Sequence, residues 1–190
     1  MRRTSFLHEK KYCQEPWECG KILQSMFLDT KIVRRYFTWA MDTTRESHLR
    51  TLSDGPLFKG MGEKQLRKLL IDLIEKKYSA GDIIFHEGDS GKAVYVVIEG
   101  SVKIIKKSNL ENKTLSILGP GSHFGELALI DNTLRFATAV AEKESLLLIM
   151  YKSYFDDLIR SNSAASARIL LNLAEILSDY IHHYQPECNS

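Results

Sequence analysis

The sequence predicts a mainly β fold flanked by helices, an antiparallel barrel or jelly roll, and three observations carry that prediction. Short β-rich runs recur at close intervals between residues 82 and 150. Glycine, asparagine and proline separate them at nearly every break, and many short strands with such punctuation read as a closed antiparallel β architecture. On either side of this region the apolar period lengthens to that of a helix.

The elements follow in order. Ile22-Leu23, Met26-Phe27, Ile32-Val33, Tyr36-Phe37 and Ala40 recur with roughly helical spacing, broken near Asp29-Thr30. They predict one or two short amphipathic helices. The turn cluster Asp54-Gly55-Pro56 marks a boundary at about residue 55. Residues 1–55 are an accessory segment, 56–184 the principal domain and 185–190 a tail. Leu66, Leu69, Leu70, Leu73 and Ile74 then fit a helix with one buried face, starting after Gly62. Strands are predicted over Asp82 to Phe85, Ala93 to Ile98, Val102 to Lys106, Thr114 to Leu118, Phe136 to Val140 and Ser145 to Met150. Gly88, Gly100 and Gly121 fall in the intervening turns, where a glycine takes positive φ without a steric penalty. From Lys152 the helical period returns. Ile169, Leu170, Leu173, Ala174, Ile176, Leu177, Tyr180, Ile181 and Tyr184 form a wide apolar stripe on a long C-terminal helix.

Composition narrows the function. The 190 residues are 44% apolar and 26% charged, the balance of a globular protein. With 26 basic against 24 acidic side chains there is no strong overall field to attract nucleic acid or an anionic membrane. The longest apolar run, Leu146 to Met150, is far below the roughly 20 residues of a membrane span. The basic N-terminus is followed by no secretory h-region. Cys13, Cys19 and Cys188 are odd in number and lie outside the patterned region, which points to a reduced cytoplasmic setting. Cys13 and Cys19 lack the paired spacing of zinc ligands, so no metal or cofactor is expected. No nucleophile elbow, HExxH or Walker A motif occurs, and an enzyme is not expected.

The chemistry concentrates in Phe124 to Val140, FGELALIDNTLRFATAV. Gly125 lets the backbone approach a ligand closely. A short helix beginning at Glu126 would turn the free amides of Glu126, Leu127 and Ala128 toward an anion. The Glu126 carboxylate repels a phosphate and suits a ribose hydroxyl instead. Arg135 is the only Lys or Arg between Lys113 and Lys143, and its planar fork of donors can engage two phosphate oxygens at once.

The order strand, G-E-L-A-L, short loop, R-x-A-T resembles the phosphate-binding cassette of the cyclic-nucleotide-binding domains. These occur in bacterial cyclic-AMP receptor proteins, protein kinase A regulatory subunits and cyclic-nucleotide-gated channels. Gly81 to Gly91 and Val94 to Val102 resemble the family's first hairpins, and the similarity spans about residues 56–184. It implies a β-roll with Gly125, Leu127 and Ala128 as backbone donors or close-approach positions. Glu126 becomes the ribose ligand and Arg135 the phosphate ligand, with Phe136 and Ala137 beside it. Ile104 and Leu115 match apolar base contacts. The C-terminal helix would be a lid and, in the receptor branch, a dimer seam. A homodimer through that helix or the N-terminal helices is therefore the protein partner the resemblance suggests.

One position departs from the pattern. Directly after the arginine the family usually has a small residue, often alanine, serine or threonine, and this chain has Phe136. Either the ring turns aside and lines the purine slot, or it fills the pocket and ligand binding is lost. Phe136→Ala is accordingly expected to preserve or enhance binding. The missing threonine hydroxyl favours cyclic AMP over cyclic GMP. The competing reading is a degenerate β-roll serving as an oligomerisation or scaffold module, with a buried Glu126–Arg135 ion pair closing an empty pocket. Direct DNA binding is not expected, because nothing after His182 suffices for a helix-turn-helix.

Overall fold

The computed structural model describes residues 45–107, 112–131, 133–161 and 163–184. The predicted helices upstream of Ala40 and all three cysteines lie outside the described residues. Contacts divide the chain into Met1–Ser47 and His48–Ser190, and every strand described lies in the second unit. That unit runs through helical residues 48–54 (α1), a 3-10 turn at Pro56–Phe58, α2 (Glu63–Asp72), then β1 (Ile74–Tyr78), β2 (Ile83–Phe85) and β3 (Ala93–Glu99). β4 (Val102–Lys107), β5 (Asn112–Leu118), β6 (His123–Phe124), α3 (Leu127–Ile130), β7 (Thr138–Ala141) and β8 (Ser145–Tyr151) follow. Helices α4 (Lys152–Arg160) and α5 (Ala164–Tyr184) close it.

The eight strands among the described residues form two antiparallel sheets, ordered β1-β8-β3-β6 and β2-β7-β4-β5. Side chains alternate across a strand, and β3 and β8 use both faces. Val94, Val96 and Ile98 of β3, with Leu146, Leu148 and Met150 of β8, pack against Leu52, Phe58, Leu69, Phe155, Ile169 and Leu173 of the helical layer. Val97 and Leu147 point the other way. They join Tyr78, Val102, Phe124, Ala139 and Ala141 between the sheets. The apolar run at Leu146–Met150 is thus a strand buried on both sides.

Two local features correct the expectations. Ile74 was expected on a helical face, but α2 ends at Asp72 and Leu73 is extended, with φ −80° and ψ 142°. Ile74 opens β1 and pairs with Ile149. The cause is tertiary: the edge of β8 imposes extended geometry on a charged segment that has no strand pattern of its own. The second correction concerns the terminal stripe. The buried positions of α5 are Ala165, Ser166, Ile169, Asn172, Leu173 and Ile176, whereas Leu170, Tyr180 and Ile181 are exposed. The buried Asn172 amide donates to Leu57 O at 2.9 Å and to Lys59 O at 3.0 Å, pinning α5 to the 3-10 turn.

The start of α2 follows its sequence signal. Gly62 is the N-cap, and Gln65 Oε1 accepts from its amide at 3.0 Å, satisfying a donor that the first turn leaves free.

Candidate functional site

The cassette is a loop between β6 and α3 facing the start of β7. Gly125 has φ +75°, a conformation in which an L side chain is strained. Glu126 is the N-cap of α3, so the helix begins one residue later than expected. Ala128 N donates to Gly125 O at 3.3 Å and Leu129 N to Glu126 O at 2.9 Å. The amides of Glu126 and Leu127 have no protein acceptor among the described residues. Two of the three amides expected to face an anion are therefore free, and that of Ala128 is bonded within the loop.

Arg135 reaches back across this loop. Its backbone is fixed by Arg135 N donating to Asp89 O at 2.7 Å, with Gly88 N donating to Arg135 O at 2.9 Å. The residue is 8% exposed. Nη1 donates to Gly125 O at 3.1 Å and Nη2 to Ala93 O at 2.7 Å, while Nε is buried without a partner. The guanidinium lies 4.2 Å from the Phe85 ring centre and 5.6 Å from that of Tyr95. Those rings continue into Phe124, stacked on Tyr95 at 5.1 Å. This aromatic cradle was not foreseen. Phe85 and Tyr95 fall in predicted strands, and no spacing connects them to an arginine fifty and forty residues later.

Electrostatically the site is a buried cation in no ion pair among the described residues. Burial lowers the Arg135 pKa from its usual value, with Tyr95, Glu126 and Asp89 acting in the opposite sense. Burying an unpaired charge is expensive. Two carbonyls and a ring face offset part of that cost, and an anion reaching the guanidinium would offset more. Glu126 is 6% exposed, and its carboxylate makes no hydrogen bond or ion pair among the described residues. The expected Glu126–Arg135 ion pair, on which the ligand-free reading relied, is not formed.

Phe136 takes the outward course. The residue is 65% exposed, with Lys106 Nζ 3.9 Å from the ring centre and donating to Phe136 O at 2.6 Å. Of the two alternatives, the ring turns aside and does not fill the cassette. Ala137 is buried. Ile104 is half-buried against the core between the sheets. Leu115 occupies a β-bulge, since Ile104 pairs with Ser116 and Ile105 with Thr114, and it is 39% exposed. The other end of α3 is also anchored: Lys152 Nζ donates to Leu129 O at 2.9 Å and pairs with Asp156 at 3.4 Å, tying the cassette helix to α4. A separate open groove of about 410 Å³, lined by Asp54, Leu118, His123 and Tyr180 among others, includes none of the predicted ligand residues. No helix among the described residues is long and apolar enough to cross a membrane.

Comparison with known proteins finds related domains. The family model described as "Cyclic nucleotide-binding domain" matches residues 75–162. The chain is 34% identical over 110 residues to the cyclic AMP receptor protein of Thermus thermophilus, covering 57% of this chain and 51% of that protein. The chain thus spans about half the length of that relative. The N-terminal domain of a transcriptional regulator from Streptomyces coelicolor superposes with a TM-score of 0.64 at 30% identity, covering 72% of this chain and 98% of that one. The regulatory domain of Toxoplasma gondii PKA, solved with cAMP, superposes with a TM-score of 0.57 at 31% identity, covering 60% of this chain and 44% of that one.

Proposed function

The chain belongs to the cyclic nucleotide-binding domain family, and on that premise we propose that residues 56–184 form a sensor for a cyclic nucleotide, cyclic AMP in preference to cyclic GMP. It acts by binding and not by catalysis. The observation that carries this reading is Arg135: a buried guanidinium that, among the described residues, is in no ion pair and is bonded to the carbonyl of the loop whose next two amides have no acceptor. A cyclic phosphate shares one negative charge between its two exocyclic oxygens, which suit Nε and the amides of Glu126 and Leu127. Glu126 accepts from the ribose 2′-hydroxyl, which distinguishes a ribonucleotide from free phosphate.

The ligand-dependent signal runs through the ends of the cassette helix. Lys152 connects Leu129 to α4, and α5 follows. A ligand that binds one arrangement of these helices more tightly shifts the population toward it. The module works in the cytoplasm without touching DNA, and its output passes through α5 or the N-terminal segment to a second copy or another protein.

A thermal-shift titration tests this. Cyclic AMP at about 100 times its dissociation constant adds roughly 2.7 kcal/mol of stability, and Arg135→Ala abolishes the shift. Absence of a shift with either cyclic nucleotide at millimolar concentration overturns the proposal.

A further inference from the structure

We propose that Phe85 and Tyr95 are positioning residues for Arg135: their rings, where a carboxylate could stand, hold the guanidinium ready for an incoming phosphate. This rests on the cyclic-nucleotide reading above, and neither ring is assigned a contact with the ligand.

The cradle is built from both sheets. Phe85 closes β2 in one sheet, opposite Ala139 of β7, while Tyr95 of β3 stands opposite Phe124 of β6 in the other. The Phe85 ring centre lies 5.6 Å from that of Tyr95 and 5.9 Å from that of Phe124, and Tyr95 stacks on Phe124 at 5.1 Å. Strand register therefore fixes the three rings against one another.

The guanidinium carbon is 4.2 Å from the Phe85 ring centre and 5.6 Å from that of Tyr95, both inside the reach of about 6 Å for a cation–π contact. Tyr95 brings its hydroxyl as well, and that group favours the charged guanidinium. The charges of Asp89 and Glu126 act in the same sense, yet neither carboxylate pairs with Arg135 among the described residues. Asp89 Oδ2 instead accepts from His86 N at 2.7 Å. A paired carboxylate would occupy N–H donors that a phosphate needs and would have to yield them. The rings hold the cation without offering a carboxylate oxygen, so Nε keeps its capacity for a phosphate while the side chain is kept from swinging toward solvent. Little ordering is then left for the ligand to impose.

The test pairs calorimetric titration of the full chain against cyclic AMP with NMR of the ligand-free protein. Phe85→Leu keeps an apolar side chain and removes the π-face, and it weakens binding by about tenfold. Phe85→Tyr restores the face and the affinity. Tyr95→Leu gives a loss of the same direction from the other sheet, and unfolding midpoints show that each variant is folded. The Arg135 side-chain protons, assigned by their loss in Arg135→Lys, are ring-current shifted in the wild-type protein, move toward ordinary positions in Phe85→Leu and stay shifted in Phe85→Tyr. Unaltered affinity in both leucine variants overturns this inference and leaves the sensor reading standing. So does a loss in Phe85→Tyr equal to that in Phe85→Leu, which assigns Phe85 to packing alone, and so do unshifted Arg135 protons in the wild-type protein. Failure of the wild-type protein to bind either cyclic nucleotide overturns the sensor reading and this inference with it.

Discussion

Arg135 donates through Nη1 to the carbonyl of Gly125 at 3.1 Å, and a Cβ at position 125 would collide with that same nitrogen. The two ends of the cassette are therefore mutually dependent. The glycine is needed twice: for its φ of +75°, and for the space its missing side chain leaves to the guanidinium. The arginine in turn holds the loop in the conformation that leaves the Glu126 and Leu127 amides free.

Gly125→Ala follows directly. A non-glycine residue at positive φ costs about 1–2 kcal/mol, and the arginine must also move. We expect a stability loss of about 2 kcal/mol in urea unfolding and at least a tenfold loss of cyclic AMP affinity, read by titration at saturating stability. The combination Gly125→Ala with Arg135→Ala should lose less stability than the sum of the two, because the collision disappears with the guanidinium. Strict additivity would show that the contact does not couple them.

Much of this site was legible because its parts lie close together in sequence. Gly125, Glu126 and Arg135 sit within eleven consecutive residues, and the strand-turn alternation from Ile83 to Tyr151 survives without tertiary information. What escaped depends on pairing across the fold. β1, Ile74–Tyr78, is mostly exposed and charged and becomes a strand only against β8. The two residues of β6 are too few to show a period. Ser166 and Asn172 occupy the buried face of α5, where an apolar stripe predicts no polar group. The direction of Phe136 was open for the same reason, since Lys106 and Glu87, thirty and forty-nine residues upstream, decide it.

His123 predicts a pH dependence. It lies on β6 opposite Val96, with both ring nitrogens buried and unpartnered. Burial lowers its pKa below the ordinary 6.5, and the Glu126 charge opposes this only in part. The folded state thus binds its proton less readily than the unfolded chain. The associated stability is fully present above about pH 6.5 and is lost as pH falls from there through the lowered folded value. Glu87, Asp131 and Glu142, whose pKa values are lowered chiefly by Lys106, Thr133 and Ser101, act only at more acidic pH. Urea unfolding at pH 7.5 and 5.5 should show a loss in the wild-type protein and a smaller one in His123→Gln. Equal losses would assign the effect to another group.

The last prediction concerns Asn172, which is 4% exposed and bonds two carbonyls more than a hundred residues earlier in the chain. Removing its amide leaves Leu57 O and Lys59 O without this donor, and leaving a buried acceptor unsatisfied costs about 1–3 kcal/mol. Asn172→Ala should therefore lower stability by about 2–3 kcal/mol, measured by urea unfolding. It shares no described hydrogen bond with Arg135 or the cassette, so cassette affinity should change by less than about threefold. The informative comparison is hydrogen exchange along α5. If the Asn172 bonds hold the terminal helix on the 3-10 turn, the variant exchanges faster at Leu170 to Ile176 while β3 and β8 keep their protection. Uniform acceleration across the whole domain would mean that Asn172 supports the core in general and has no particular hold on the helix.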